Sequence, residues 1–119
     1  SRQEKGKLIN NLEHIIIKLE KYNLINDDKY CSGKIDSLSR AGKSKIFIVN
    51  YLIKKGIDKL EIQNNLQIFE DTNNNWELNS AKFFAKKKKL LESSDSYEKK
   101  LSKMARAGFS YEICKQILN

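Results

Sequence analysis

The chain contains 119 residues, with 23 Lys and Arg, 15 Asp and Glu, two Cys and no Pro, and its net charge is +8. This length fits one domain or a short array of helical repeats rather than two independent globules. Two cysteines are too few for the disulfide framework of a small secreted fold. No apolar run approaches the roughly 20 residues needed to cross a bilayer, and no secretion signal is visible. We therefore expect a cytoplasmic protein.

Apolar residues recur at three- and four-residue spacing along the chain, which predicts helices and no strands. A first helix is predicted over residues 8–23. A second runs from a cap at Asp27 or Asp28 to Gly42. The inward face of this second helix is expected to carry Cys31, Ile35 and Leu38.

The third and fourth helices meet at Gly56, which is expected to provide a left-handed cap. The third should bury a stripe of Ile46, Val49 and Ile53, with Leu52 beside it. Asp58 and Glu61 have the spacing of a capping box at the start of the fourth helix. That helix should turn Ile62, Leu66 and Phe69 inward.

Three further helices are predicted after the polar loop 71–75. The fifth spans 76–91, with Ala81, Phe84, Ala85 and Leu91 buried. Asp95 and Glu98 have the spacing of another capping box, which opens a sixth helix. The predicted inward residues of the sixth helix are Tyr97, Leu101, Met104 and Ala105. Ser110 caps a short seventh helix, with Ile113, Ile117 and Leu118 inward.

These elements repeat with a period of about 50 residues. Gly56 and Gly108 are matching helix ends 52 residues apart, each followed by a large apolar residue and a capping residue. A period in this range is typical of stacked repeats. The sequence thus predicts an all-α fold of about seven helices: a leading helix in 8–26, a remnant of a first repeat, and three-helix repeats at 27–70 and 76–118, forming an elongated, curved array.

The sequence offers little for catalysis. His14 has no Cys or Ser partner nearby, and Cys31 and Cys114 lie on apolar helix faces where a buried small side chain is expected. The five glycines are isolated, so no phosphate-binding loop is present. We expect no enzyme, no metal site and no cofactor.

The positive charge is clustered, with a net charge of +6 over residues 82–106. The chain has 20 Lys and only 3 Arg, a bias that a low-GC genome would produce through its AT-rich codons. This bias accounts for part of the charge but not for its clustering. If the fifth and sixth helices pack antiparallel, six cations can form one surface for a polyanion such as nucleic acid or an acidic protein groove. These six are Lys82, Lys86, Lys89, Lys99, Lys103 and Arg106, and Lys88 should extend out of the apolar stripe. Arg40, Lys43 and Lys45 form a weaker, secondary basic spot. A plain solvated helix face is the alternative interpretation.

Several segments resemble the RecX family in order and spacing. Residues 19–30 resemble the family's helix end and Asp-Asp helix start, and residues 41–57 its Gly-to-KGI helix. Residues 81–88 resemble its Ala- and Lys-bearing helix, and residues 101–113, LSKMARAGFSYEI, its closing signature. A second basic residue often precedes the glycine in that signature, where this chain has Ala107. The family normally carries about two further N-terminal helices, which we expect to be missing from this chain.

The resemblance implies a regulator of the RecA recombinase in DNA recombination, DNA repair and the SOS response. Such a protein would bind the groove of the RecA–single-stranded-DNA filament and limit ATP hydrolysis, strand exchange and filament growth. The partners implied are RecA and single-stranded or duplex DNA, directly or through the filament, and we expect a monomer. The alternatives are a basic helical nucleic-acid-binding module without a recombinase partner, and a structural adaptor whose charge reflects composition alone.

Overall fold

A computed structural model of the chain describes residues 27–119. Internal contacts divide the chain into two compact units, Ser1–Tyr30 and Cys31–Asn119. In the first unit the structure describes only residues 27–30, which are helical. The predicted first helix over 8–23, the leading segment 8–26 and His14 lie outside the described residues.

Six helices, and no strand, occur between residues 27 and 119. They are α1 (helical from the first described residue, 27, to 40), α2 (Lys45–Lys54), α3 (Lys59–Thr72), α4 (Trp76–Lys87), α5 (Tyr97–Arg106) and α6 (Tyr111–Leu118). The predicted all-α class is confirmed for this part of the chain. Asp27 and Asp28 already lie within α1, so the prediction that one of them caps this helix is wrong.

Serine hydroxyls cap three helices. Each accepts a hydrogen bond from the backbone N–H three residues on, at 3.1 Å for Ser44, 3.3 Å for Ser96 and 3.4 Å for Ser110. Such caps satisfy an N–H that the first helical turn leaves without a partner, and each contributes about 1 kcal/mol. The predicted cap at Ser110 is confirmed.

Asp58 does begin α3 as predicted, but neither Asp58 nor Asp95 supplies the side-chain cap that a capping box requires. Asp58 stands at the N-cap of α3, but its side chain makes no capping hydrogen bond. Asp95 lies one residue before the true cap of α5, Ser96. The Asp95 carboxylate instead accepts a hydrogen bond from Lys103. Asp95 therefore pairs with a lysine eight residues further along the chain, a partner that the spacing of a capping box does not reveal.

Four helices end in one shared geometry, in which a residue just past the helix takes a left-handed backbone conformation. These residues are Gly42 (φ 84°), Gly56 (φ 88°), Lys89 (φ 55°) and Gly108 (φ 96°). In each case the next residue donates its backbone N–H to the carbonyl five positions back, at 2.9–3.2 Å. This is the Schellman motif, which satisfies carbonyls at the end of the helix.

Lys89 is the exception among these four positions, because a side chain is strained in a conformation that suits glycine. The turn there places Leu90 in the core, where it is fully buried. Burial of that side chain offsets the strain. Helix α4 consequently ends at Lys87 rather than at the predicted Leu91, and Leu91 is 61% exposed.

The buried side chains form two clusters within the second unit. The first comprises Cys31, Ile35, Ile48, Leu52, Ile57, Ile62, Leu66 and Trp76. The second comprises Ala81, Ala85, Leu90, Met104, Phe109, Cys114 and Ile117. Helix α2 packs on α3, whereas α4 and α5 both pack on α6. The predicted burial of both cysteines is confirmed.

The predicted inward face of α2 is only partly right: Val49 packs against the first cluster and Leu52 is buried in it, but the other two predicted residues are exposed. Ile46 is 59% exposed and Ile53 38% exposed, whereas Ile48 and Leu52 are fully buried. Apolar residues occur on every side of this helix, KIFIVNYLIK, so their spacing alone does not select the buried side. The first cluster selects Ile48 and Leu52, which are four residues apart.

Helix α5 also differs from its prediction. Met104 is fully buried and Leu101 half-buried as expected, but Tyr97 and Ala105 are exposed. The second cluster meets a narrow stripe of this helix. The remaining sides are therefore free to carry charge.

Polar contacts join the α1–α2 corner to α4 and to the end of α5. The Ser80 hydroxyl donates to the Lys43 carbonyl at 2.6 Å, and the Ser44 hydroxyl donates to the Ala107 carbonyl at 2.7 Å. A Cβ on Gly108 would overlap the Ser44 hydroxyl. Glycine is therefore required at this corner both for its φ and for the close approach of the two chain segments.

Candidate polyanion-binding surface

Three of the predicted cations share one side of α5. Lys99, Lys103 and Arg106 recur at spacings of four and three residues, which places them on one helix face. All three are exposed, and with Glu98 and Ser102 they line a surface depression of about 290 Å³. The structure thus brings together half of the six predicted residues.

The end of α4 adds a fourth cation to this surface. Lys88 and Phe84 line a second depression, of about 300 Å³, together with Lys103 and Arg106. Phe84 is half-buried and packs against Phe109 with ring centroids 5.6 Å apart. The depression therefore combines an aromatic ring with three cations. We call Lys88, Lys99, Lys103 and Arg106 the α4–α5 basic surface.

Lys88 is absent from the six residues chosen from the sequence. Lys88 lies four positions after Phe84, and residues four apart share a helix face. That spacing could have identified Lys88 as part of the surface. The predicted snorkelling of Lys88 agrees with its position beside that ring, and its exposure leaves the ammonium group in solvent.

The other three predicted cations do not line these depressions. Lys82 and Lys86 are exposed and lie one turn apart on α4. Two residues correspond to about 200° around a helix, so Lys86 points to the opposite side from Lys88. Lys89 follows the end of the helix, which removes the predicted spacing of seven residues from Lys82. The α4–α5 basic surface, as defined by the two depressions, therefore does not include these three residues.

One cation of the surface is partly neutralised. The Lys103 ammonium lies 3.0 Å from Asp95 Oδ2, and both side chains are partly exposed. The hydrogen bond from Lys103, followed by one from the Ser93 side chain, lowers the pKa of the Asp95 carboxyl. Lys88, Lys99 and Arg106 have no carboxylate within ion-pairing distance in the described part of the chain. These three carry the available positive charge.

The secondary basic spot is largely compensated by neighbouring groups. Arg40 Nε lies 3.3 Å from Asp36, and Lys45 Nζ lies 2.8 Å from Glu70. Lys43 Nζ lies 4.8 Å from the centre of the Phe47 ring, within cation–π range. This spot therefore presents less free charge than its three cations suggest.

Both cysteines lie in the core rather than on a reactive surface. The Cys31 and Cys114 thiols have no exposed surface, and burial raises the pKa of Cys114. Over residues 27–119, no three His, Cys, Asp or Glu side chains gather as a metal site would require. No helix in that range has the length and apolar character needed to span a bilayer.

Comparison with known proteins confirms the resemblance to the RecX family. The chain is 28% identical over 123 residues to "Regulatory protein RecX" of Myxococcus xanthus, covering 98% of the chain and 65% of that relative. It is 30% identical over 121 residues to the protein of the same name from Clostridium perfringens, covering 97% and 55%. It is 28% identical over 117 residues to that of Clostridioides difficile, covering 92% and 53%.

The chain spans about half to two thirds of the length of the curated relatives it matches. No protein-family model and no solved structure matches it.

Proposed function

We propose that this chain, a relative of the RecX regulatory proteins, regulates the RecA recombinase by binding the groove of the RecA–single-stranded-DNA filament. Binding there would limit ATP hydrolysis, strand exchange and filament growth. The observation that carries the proposal is the similarity to RecX proteins, which extends over 92–98% of the chain. The protein would act without catalysis of its own, as a cytoplasmic monomer.

The α4–α5 basic surface supports contact with a polyanion. Lys88 and Arg106 line one depression with the Phe84 ring, and Arg106 lines a second with Lys99. None of these three cations has a carboxylate within ion-pairing distance among residues 27–119, and phosphate groups attract such surfaces over long range. The filament implied by the resemblance would offer DNA phosphates along its groove to such a surface. Lys82, Lys86 and Lys89 line neither depression, so their contribution to the filament-facing side is a separate part of the proposal.

The same proposal includes two tandem three-helix repeats, 27–70 and 76–118. Support comes from the shared geometry of the helix ends: Gly42 and Gly56 close the first two helices of one triplet, and Lys89 and Gly108 close those of the other. The two core clusters also follow the triplets closely, with Trp76 alone extending the first cluster into α4. Stacked repeats would lay a long surface against the filament.

The test follows ATP hydrolysis by RecA on single-stranded DNA while the chain is added. Dose-dependent inhibition at substoichiometric protein would support regulation of filament growth. No effect at any ratio would overturn the proposal. Equal affinity for naked DNA and for RecA filaments would favour the alternative, a nucleic-acid-binding module without a recombinase partner.

Matched triple variants locate the contact surface. One replaces Lys88, Lys99 and Arg106 by Ala, and a second replaces Lys82, Lys86 and Lys89. A third removes the same charge elsewhere, at the exposed Lys54, Lys59 and Lys115. We expect the first variant to weaken filament binding and flatten its salt dependence, because fewer counterions are released. An equal effect of the third variant would show that net charge, rather than this surface, determines binding.

A further inference from the structure

A cleft of about 360 Å³ is lined by residues of α1, α3 and α4 and of the turn between α3 and α4. Ligand-binding pockets occupy roughly 300–1,000 Å³, so the volume is sufficient for a small ligand or part of a larger one. Three of the lining residues are aromatic, Phe69, Trp76 and Phe83, and two others, Asn74 and Asn79, carry side-chain amides. These five residues define what we call the α1–α4 cleft. It shares no residue with the α4–α5 basic surface.

Contacts within the fold hold the walls of the α1–α4 cleft in place. The Ser80 hydroxyl, which also lines the cleft, donates to the Lys43 carbonyl at 2.6 Å and fixes α4 on the α1–α2 corner. Phe83 lies against Gly42 of the same corner, so closely that a Cβ on that glycine would come within 2.9 Å of the ring. The fold itself therefore positions the cleft, as it does in most ligand-binding pockets.

The α1–α4 cleft has no net charge, although the chain as a whole carries +8. The two charged residues in its lining are Asp36 and Arg40, and Arg40 Nε lies 3.3 Å from an Asp36 carboxylate oxygen. Partners at a binding site are arranged so that their potentials are complementary. A cleft whose charges compensate one another therefore favours an uncharged ligand over a polyanion.

The Asn74 and Asn79 side chains supply hydrogen-bonding groups that the fold does not use. Neither amide makes a hydrogen bond within residues 27–119, and both residues are exposed. By contrast, the Asn73 amide in the same lining already donates to the Phe69 carbonyl at 2.9 Å. An asparagine amide offers N–H donors and a carbonyl acceptor, which match the C=O and N–H groups of a peptide main chain. Two such amides in one cleft are suited to hold an extended main chain.

The aromatic rings suit a side chain that fills space rather than a flat group that stacks. Phe69 packs edge-on against Trp76, with centroids 5.7 Å and planes 71° apart, and Trp76 is only 8% exposed. Stacking requires an open ring face, which this pair largely covers. Phe83, at 47% exposed, supplies the remaining aromatic surface. Burial of an aliphatic side chain is non-directional, so it needs no particular ring orientation.

We infer that the α1–α4 cleft binds an extended, uncharged segment of a protein that presents an aliphatic side chain. The side chain enters among the aromatic rings, and the Asn74 and Asn79 amides hydrogen-bond to the main chain beside it. This inference goes beyond the proposed function, because it assigns a second site with a different ligand chemistry. Its test contains neither RecA nor DNA, so it succeeds or fails independently of filament regulation.

Trp76 is the single tryptophan of the chain, so its fluorescence reports directly on the cleft. The probe is the blocked peptide acetyl-Ala-Leu-Ala-amide, titrated into the full chain. Its matched control, acetyl-Ala-Ala-Ala-amide, has the same main chain and no long aliphatic side chain. We expect a saturable change in emission, with the leucine peptide binding roughly tenfold more tightly than the alanine peptide. Equal binding of the two peptides, or no saturable change with the leucine peptide, would overturn the inference.

The decisive variant carries Asn74→Ala and Asn79→Ala, which remove both amides without breaking a hydrogen bond of the described fold. The matched control carries Asn50→Ala and Asn64→Ala, two exposed asparagines that do not line the cleft. We expect the decisive variant to lose roughly fivefold in affinity for each amide, whereas the control binds as the parent chain does. Equal affinities of the two variants would contradict the role of the amides.

The aromatic wall is tested with Phe83→Ala, against Leu91→Ala as an exposed apolar control. We expect Phe83→Ala to reduce the preference for the leucine peptide over the alanine peptide, and Leu91→Ala to retain it. Far-ultraviolet circular dichroism and thermal midpoints establish that each variant is folded, and Phe83→Leu replaces Phe83→Ala if that variant unfolds. Thymidine tests the other occupant, a nucleobase. Binding of thymidine as tight as that of the leucine peptide would overturn the assignment to a peptide.

Discussion

The Ser44 side chain donates a hydrogen bond to the Ala107 carbonyl across 63 positions of sequence, at 2.7 Å. The same hydroxyl accepts the backbone N–H of Phe47 at the start of α2. A serine hydroxyl has one donor and two acceptor lone pairs, so it serves both partners at once. One fully buried side chain thus caps α2 and holds the end of α5 against it.

Ser44→Ala should destabilise the fold by about 2–3 kcal/mol, because it removes a helix cap and deprives the Ala107 carbonyl of its side-chain donor. Chemical unfolding in urea measures this change. Ser96→Ala is the matched control, since Ser96 is exposed and only caps its own helix. It should cost about 1 kcal/mol. Equal losses for the two variants would show that the contact with Ala107 adds nothing.

Leu90 and Leu91 should respond oppositely to truncation. Leu90 is fully buried in the second cluster, and Leu91 is 61% exposed. Leu90→Ala should cost about 2–5 kcal/mol, whereas Leu91→Ala should stay within about 0.5 kcal/mol of the parent chain. The two urea midpoints test whether α4 ends at Lys87. A helix continuing to residue 91 would reverse the order.

Asp95 should make the fold sensitive to acid. Its pKa is lowered in the folded chain, mainly by Lys103 and next by Ser93, so its contribution to stability is present above its ordinary value of 3.8. That contribution is lost as pH falls through the lower, folded pKa. Asp95→Asn should therefore lower the thermal midpoint at neutral pH and make no difference in strong acid. A gap between the two proteins that persists in strong acid would contradict the assignment.

The secondary structure was largely predictable because it depends on local spacing. Ser110 caps α6 through a residue three positions away, and Gly56 and Gly108 end their helices through bonds spanning five. Such short-range geometry is written in adjacent residues. The helix end at Lys89 was not predicted, because a lysine rarely takes a left-handed conformation. The burial of Leu90, which offsets this strain, depends on the tertiary structure.

The candidate site was only half predictable. Helical spacing placed Lys99, Lys103 and Arg106 on one face, as the shared depression bears out. The addition of Lys88, and the separation of Lys86 from it, depends on where α4 ends and on the packing of α4 and α5 on α6. Neither quantity follows from the spacing of charges.

The sequence by itself determined the helical class, the resemblance to RecX proteins and most helix boundaries, because these depend on periodicity and caps within a few residues. Only the tertiary structure decided which side of α2 is buried, which cations of residues 82–106 meet, and which are neutralised. Those properties depend on partners distant in sequence, such as Ser44 and Ala107. Packing selects one face of a helix that is apolar all round, and an ion pair exists only where folding brings a carboxylate within reach.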